Sequence, residues 1–264
     1  ITKGYIAEAS FQRGFDALKK HLQTIESYQV DRTLAFATSA IRSASNGVDF
    51  VARVKTELGL HIEVIDGEKE AELIYLGVQQ ALDLGDGNKL IMDIGGGSTE
   101  FIICNKKEIF WKQSFQLGVA RLLEYFQPQD PLTRTEVKLI EVYLEDTLTP
   151  LWAALQKFPC DTLVGSSGSF DTLSDVIAHQ FYDTAILKGK TTYNFKLSDY
   201  YWLHDYFLKS NLKERLNTPG MIPMRADMIV ISSIFINYLL KRQKMLSMKL
   251  STYALKEGVL KTLC

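Results

Sequence analysis

One stretch sets terms that the rest of the chain has to meet: Lys89 to Cys104, reading KLIMDIGGGSTEFIIC. The apolar run Leu90 to Met92 delivers Asp93 to the end of a strand. Gly95, Gly96 and Gly97 turn the chain, and Phe101 to Cys104 returns as a second strand. The pattern predicts a hairpin with a polar tip. Glycines without Cβ atoms let backbone N–H groups approach a ligand closely, and Ser98 and Thr99 add hydroxyl donors, so the tip suits phosphate oxygens. Asp93 and Glu100 flank it with the hard oxygen ligands that Mg²⁺ prefers. An ordinary glycine-rich turn with capping residues would read the same way, and the loop by itself does not separate the two.

Composition narrows the setting. At 264 residues, one large or two moderate domains are expected, and 46% hydrophobic with 23% charged residues suits a globular chain able to bury a core. A net charge of −1 provides no global basic field, so no nucleic-acid partner is expected and any anion site must be local. Cys104, Cys160 and Cys264 are far apart and lack metal spacing, which points to reduced thiols and a cytoplasmic setting. The apolar stretch Met228 to Leu240 is too short to span a bilayer, and no membrane partner is expected. The sequence opens on Ile1 with no methionine and no signal peptide, and is read as lacking its beginning.

Along the chain, Phe11, Phe15, Leu18, Leu22 and Ile25 recur at helical spacing and predict a helix over Glu8 to Ser27. Leu34 to Ala37 reads as a strand, Val48 to Leu58 as a helix ending at Gly59, Ile62 to Ile65 as a strand, and Glu68 to Leu82 as a helix. This alternation favours an α/β domain with parallel strands, followed by a linker at Gly85 to Asn88. After the hairpin, Glu108 to Phe115 completes an antiparallel meander, Gly118 to Phe126 reads as a short helix, and Thr133 to Phe158 as a helix broken near Pro150. Thr162 to Val164 is a strand, followed at once by Gly165-Ser166-Ser167-Gly168 and a helix over Asp171 to His179. A helix start after a glycine loop is a second candidate anion site, although a tight strand-to-helix turn has the same form. Gln180 to Phe195 has no clear class, and the remainder reads as mostly helical: Leu197 to Lys209, Met224 to Lys241 and Leu255 to Leu263.

The patterns GxxxxGK[ST], GxGxxG and GxSxG are absent, and His21, His61, His179 and His204 have no zinc-like spacing. Three features remain, all at the ends of strands: Arg42, the acidic group Glu68, Glu70 and Glu72, and the hairpin. In open α/β sheets that edge is where ligands bind. Residues two apart point to different sides of a helix, so at most one of the three glutamates faces a site squarely.

Taken together, these segments resemble the exopolyphosphatase/guanosine pentaphosphate phosphohydrolase (Ppx/GppA) family of the actin-like phosphotransferase superfamily. ATSAIR at 37–42 with Asn46, VIDGEKEAELIYLGV at 64–78 and DIGGGSTE at 93–100 match its segments in order. So do SFQLGVARL at 114–122, LVGSSGS at 163–169 against LVGTGGT, the G-x-x-P-x-RAD segment at 220–227 and YALKEGVL at 253–260. The resemblance implies an α/β fold of two ribonuclease-H-like (actin-like ATPase) domains around a central cleft. The first domain would take 1–84 plus about 251–264, and the second 88–250.

It also implies roles. Glu70 would orient and deprotonate a water, and Arg42 would offset transition-state charge. Gly95, Gly96, Gly97, Ser98 and Thr99, with Gly165, Ser166, Ser167 and Gly168, would bind phosphate. Asp93 and Glu100 would hold Mg²⁺ or another divalent cation. The implied reaction is release of terminal phosphate from polyphosphate or guanosine pentaphosphate. A homodimer is a common default at this size, and the aromatic segment Tyr200 to Phe207 reads equally as an interface or as core. Glu72 stands where the family has arginine, a repulsive charge in place of a phosphate-friendly one. The family's opening D-x-GSNS loop belongs before the Glu8 helix and is not in this sequence, nor are the C-terminal domains of long members, so processive degradation is not expected. A non-catalytic sensor of polyphosphate or alarmone is the alternative, and a kinase of the same superfamily a third.

Overall fold

The computed structural model describes residues 4–263, and the chain divides into two compact units, Ile1–Lys69 and Glu70–Cys264. The first holds α1 (Glu8–Ser27), β1 (Ala35–Ala37), α2 (Ser39–Arg42), α3 (Gly47–Leu58), β2 (Ile62–Val64) and the opening turn of α4 (Gly67–Ala81). The α1 stripe closes on Phe50 and Val54 of α3, and Phe11 meets Phe50 edge to face at 4.9 Å. β1 and β2 pair in parallel, Ala35 opposite Ile62, as the alternation of strand and helix requires.

The second unit continues α4 into β3 (Lys89–Ile94), β4 (Thr99–Cys104), β5 (Ile109–Phe115), α5 (Val119–Phe126), α6 (Arg134–Thr147), α7 (Thr149–Lys157) and β6 (Thr162–Ser166). It then runs through α8 (Gly168–Phe181), β7 (Thr192–Phe195), α9 (Leu197–Lys209), α10 (Leu212–Leu216), α11 (Ile229–Gln243), β8 (Ser247–Ser251) and α12 (Leu255–Lys261). The six strands order as β5-β4-β3-β6-β8-β7. The meander β3-β4-β5 is antiparallel and the β3-β6-β8 core is parallel.

Strand parity sorts the two faces. Leu90, Met92, Phe101 and Ile103 face a large core shared with α9 and α11, while Ile91, Ile102 and Val164 face Ala71, Ile74 and Val78 of α4. Both faces are covered, so these strands read as apolar runs without alternation. α11 is buried from Ile229 through Asn237 and at Leu239 and Leu240, which explains its length without a bilayer. Among the described residues no helix is long and apolar enough to cross a membrane.

Several elements differ from the sequence expectation. β8, which the sequence reading assigned to no element, is a strand between β6 and β7. Its serines and Lys249 hide the pairing that Met248 and Leu250 make on one face. α8 starts at Gly168 rather than Asp171, and α11 starts at Ile229 after a single 3₁₀ turn at Pro223–Arg225. The compact units also divide at Lys69 rather than near residue 84, with 70–84 and the last helix in the second. The reason is packing: α4 lies on the sheet, and α12 crosses α4 at paired glycines.

At that crossing a Cβ on Gly258 would fall 1.7 Å from the Leu73 carbonyl oxygen, and one on Gly77 would fall 1.9 Å from the Ala254 oxygen. Neither neighbour is a flexible side chain that could yield. Gly258→Ala is therefore expected to lower stability by about 1–3 kcal/mol or more. The check is a lowered urea midpoint with the transition slope unchanged. An unchanged midpoint would mean that the two helices separate without cost.

Candidate active site

Cross-strand register builds the site. In the antiparallel β3–β4 pair Asp93 stands directly opposite Glu100, and Glu100 stands opposite Ser114 of β5. On the other side Asp93 is level with Ser166 of β6, and Ser166 with Ser251 of β8. Opposed residues share a face, so one polar row runs through the sheet on the side that α4 covers. Ser114 Oγ donates to Glu100 Oε1 at 2.6 Å and Ser166 Oγ to Asp93 Oδ2 at 2.6 Å.

α4 brings the third carboxylate. Glu70, Ala71, Ile74, Tyr75 and Val78 form one helical stripe toward the sheet, and Glu70 occupies its N-terminal end. Of the three glutamates read from the sequence, Glu68 is exposed, Glu72 half-buried and Glu70 only 7% exposed, within the limit of one that the spacing set. Glu72 is held at 2.5 Å by Lys112 of β5, so the repulsive charge that the sequence suggested is countered locally. Burial, then the charges of Glu70 and Asp93, push the Glu100 carboxyl up to about 8. Burial likewise raises Asp93, against the lowering effect of its two serine partners. A buried group of carboxylates raised in this way favours a cation or a proton.

The hairpin tip is braced by its own carbonyls. Gly95 O accepts from Val119 N, Gly96 O from Ala120 N and Arg121 N, and Gly97 O from Arg121 Nε at 3.1 Å. With the carbonyls turned toward α5, the N–H groups of Gly96, Gly97 and Ser98 meet no acceptor among the described residues. Such a run of unpartnered N–H groups is an anion nest. Gly118 makes it possible, since a Cβ there would lie 2.2 Å from Gly96 O. Other tip groups are used internally: Gly95 N donates to Ser98 O, and the buried Thr99 hydroxyl donates to Leu117 O at 2.9 Å.

In the second loop, Gly165 is glycine because the Phe170 ring would sit 2.0 Å from its Cβ. Ser166 and Ser167 both donate to Asp93 rather than pointing outward. Gly168 opens α8, and the Arg225 guanidinium lies where its Cβ would be, 1.9 Å from Nη2. The Arg225 guanidinium has no hydrogen-bond acceptor among the described residues, and its charge partly offsets the upward shift of Asp171. Sequence reading noted the RAD segment at 225–227 without giving this arginine a role; only the fold carries it to the glycine loop. Arg42 belongs to the first unit, where its Nη1 donates to Ile65 O at 2.7 Å. The aromatic segment Tyr200 to Phe207 divides: Tyr200, Leu203 and Phe207 are core, and Trp202 is exposed. Buried His204 pairs with Ser233 Oγ at 2.8 Å and plays no part in the row.

Among the described residues no three His, Cys, Asp or Glu side chains converge as a closed metal site. Mg²⁺ does not require one, since it takes one or two carboxylates and fills its octahedron with water and phosphate oxygens. Asp93 and Glu100 fit that open donor set.

A sequence model of the Ppx/GppA phosphatase family matches residues 2–264. An exopolyphosphatase from Cytophaga hutchinsonii is 42% identical, with a TM-score of 0.96 over 100% of this chain and 84% of that one. The PPX-GPPA enzyme of Aquifex aeolicus is 31% identical, with a TM-score of 0.79 over 99% of this chain and 85% of that one. A guanosine-5'-triphosphate,3'-diphosphate pyrophosphatase of Aliivibrio fischeri is 31% identical over 185 residues, 70% of this chain. The chain spans 37% of the length of that curated relative.

Proposed function

The chain belongs to the Ppx/GppA phosphatase family, and from that membership we propose that it hydrolyses a terminal phosphoanhydride, releasing orthophosphate from inorganic polyphosphate or from the 5′ end of guanosine pentaphosphate. The observation that supports this most is the placing of a nest of unpartnered N–H groups at Gly96 to Ser98 beside the buried carboxylates Glu70, Asp93 and Glu100. The nest holds the terminal phosphate by its oxygens. Glu70 accepts a proton from a water as that water's oxygen attacks phosphorus and the bridging P–O bond breaks. The shortened anion leaves and orthophosphate is formed. Arg225 offsets the charge that spreads over the phosphate oxygens in the transition state. This division of labour suits phosphoryl transfer, in which positioning and electrostatics do most of the work. Asp93 and Glu100 would hold a divalent cation, Mg²⁺ being the natural choice, which when bound screens phosphate charge.

The greater likeness to an exopolyphosphatase favours polyphosphate as the substrate. The test offers both substrates in parallel, with Mg²⁺ and with chelator. Mg²⁺-dependent release of orthophosphate is expected, at a higher kcat/KM for polyphosphate. Tight binding of both with no release would select the sensor, and transfer to a sugar or acid acceptor would select a kinase.

A further inference from the structure

Ser167 holds a conformation that a serine avoids. Its φ of 72° with ψ of 167° lies in a region that glycine alone enters readily. Gln127 and Lys244 also have positive φ, but both close helices in the common left-handed conformation, at ψ of 52° and 44°. Ser167 instead precedes α8 as its N-cap, where a serine hydroxyl ordinarily accepts from the helix's free N–H groups. It makes no such cap. Its Oγ donates to Asp93 Oδ1 at 2.8 Å, while Ser166 holds Oδ2. The hydroxyl is turned to one carboxylate rather than to the helix start, on a backbone that suits the glycine of the similar family loop.

We propose that Ser167 is a positioning residue for Asp93, locking the rotation of its carboxylate so that the oxygens' remaining lone pairs stay directed into the site. The proposal rests on the hydrolase reading above only for its kinetic consequence. Held at one oxygen by Ser166 alone, the carboxylate could turn about its last side-chain torsion. With both oxygens held it cannot. Groups that orient a functional carboxylate typically matter about 10–100-fold in activity.

The experiment compares Ser167→Gly and Ser167→Ala with the wild type in the full chain. Both variants lose the hydroxyl, but glycine fits the backbone and alanine does not. Both are expected to lose kcat by about 10–100-fold with KM unchanged, while the glycine variant melts at a higher temperature than the alanine variant. Crystal structures of the wild type and the glycine variant should show the Asp93 carboxylate turned only in the latter. Wild-type kcat in Ser167→Gly, or an unturned Asp93 in that variant, overturns the proposal. If the wild type releases no phosphate, the hydrolase reading fails and the Asp93 orientation alone decides the role of Ser167.

Discussion

Glu70→Gln lowers the rate of phosphate release by about two to four orders of magnitude, the usual span of general-base assistance, with KM close to that of the wild type. The substitution keeps shape and volume at a residue that is 7% exposed, so packing along the α4 stripe survives. The nest at Gly96 to Ser98 and the brace from α5 are untouched, so substrate still docks. The negative charge and the ability to take a proton are gone. A single-turnover measurement with saturating polyphosphate separates the chemical step from release of product. A variant that retains more than a tenth of the wild-type rate would move the base elsewhere. A variant that unfolds would show that Glu70 holds α4 in place rather than serving the water.

The second large effect is on stability and depends on pH. Glu100 ionises near 4.5 in an unfolded chain and at about 8 in the folded one, chiefly through burial. Between these values the folded state carries a proton that the unfolded state has lost. The contribution is therefore complete below about pH 4.5, declines as pH rises, and is gone above about 8. One pKa unit corresponds to about 1.4 kcal/mol, so the decline amounts to several kcal/mol. Glu100→Gln removes it. In chelator-treated protein the variant should gain stability over the wild type steadily from pH 5 to pH 8.5, read as a widening gap between melting temperatures. Mg²⁺ should narrow the gap by stabilising the wild type at high pH, through binding to the folded state alone. Parallel curves across that range would mean that Glu100 titrates normally, and an absence of any Mg²⁺ effect would remove it from the cation site.

Much of this was open to inspection in the residues themselves. α1 and α3 follow from apolar spacing, and the hairpin follows from three glycines between two apolar runs, since such signals act over a few residues. That at most one of the three glutamates could face a site also followed, from 100° per residue, but not that Glu70 would be buried. What could not be read is whatever depends on pairing between distant strands. No local pattern says that Ser114, Glu100, Asp93 and Ser166 stand level across four strands, because their sequence separations carry no register. Lys112 as the partner of Glu72, 40 residues away, is hidden for the same reason. β8 was missed because five residues with a lysine among them give too short an alternation, and its neighbours decide its state. The loop serines were readable as candidate phosphate donors, yet both are turned to Asp93. A hydroxyl's partner is a matter of approach, not of residue type.

The polar row also limits how the length of this chain can drift. Strand side chains alternate, so one residue gained or lost within β4 would send Glu100 into the core that holds Phe101 and Ile103 and bring Phe101 to the row beside Asp93. The charged and the apolar faces both reject that slip. The groups proposed to do chemistry therefore also proofread the pairing of β3 with β4 as the sheet assembles. Over evolutionary time, insertions should collect in the outer loops and spare the span from Lys89 to Cys104.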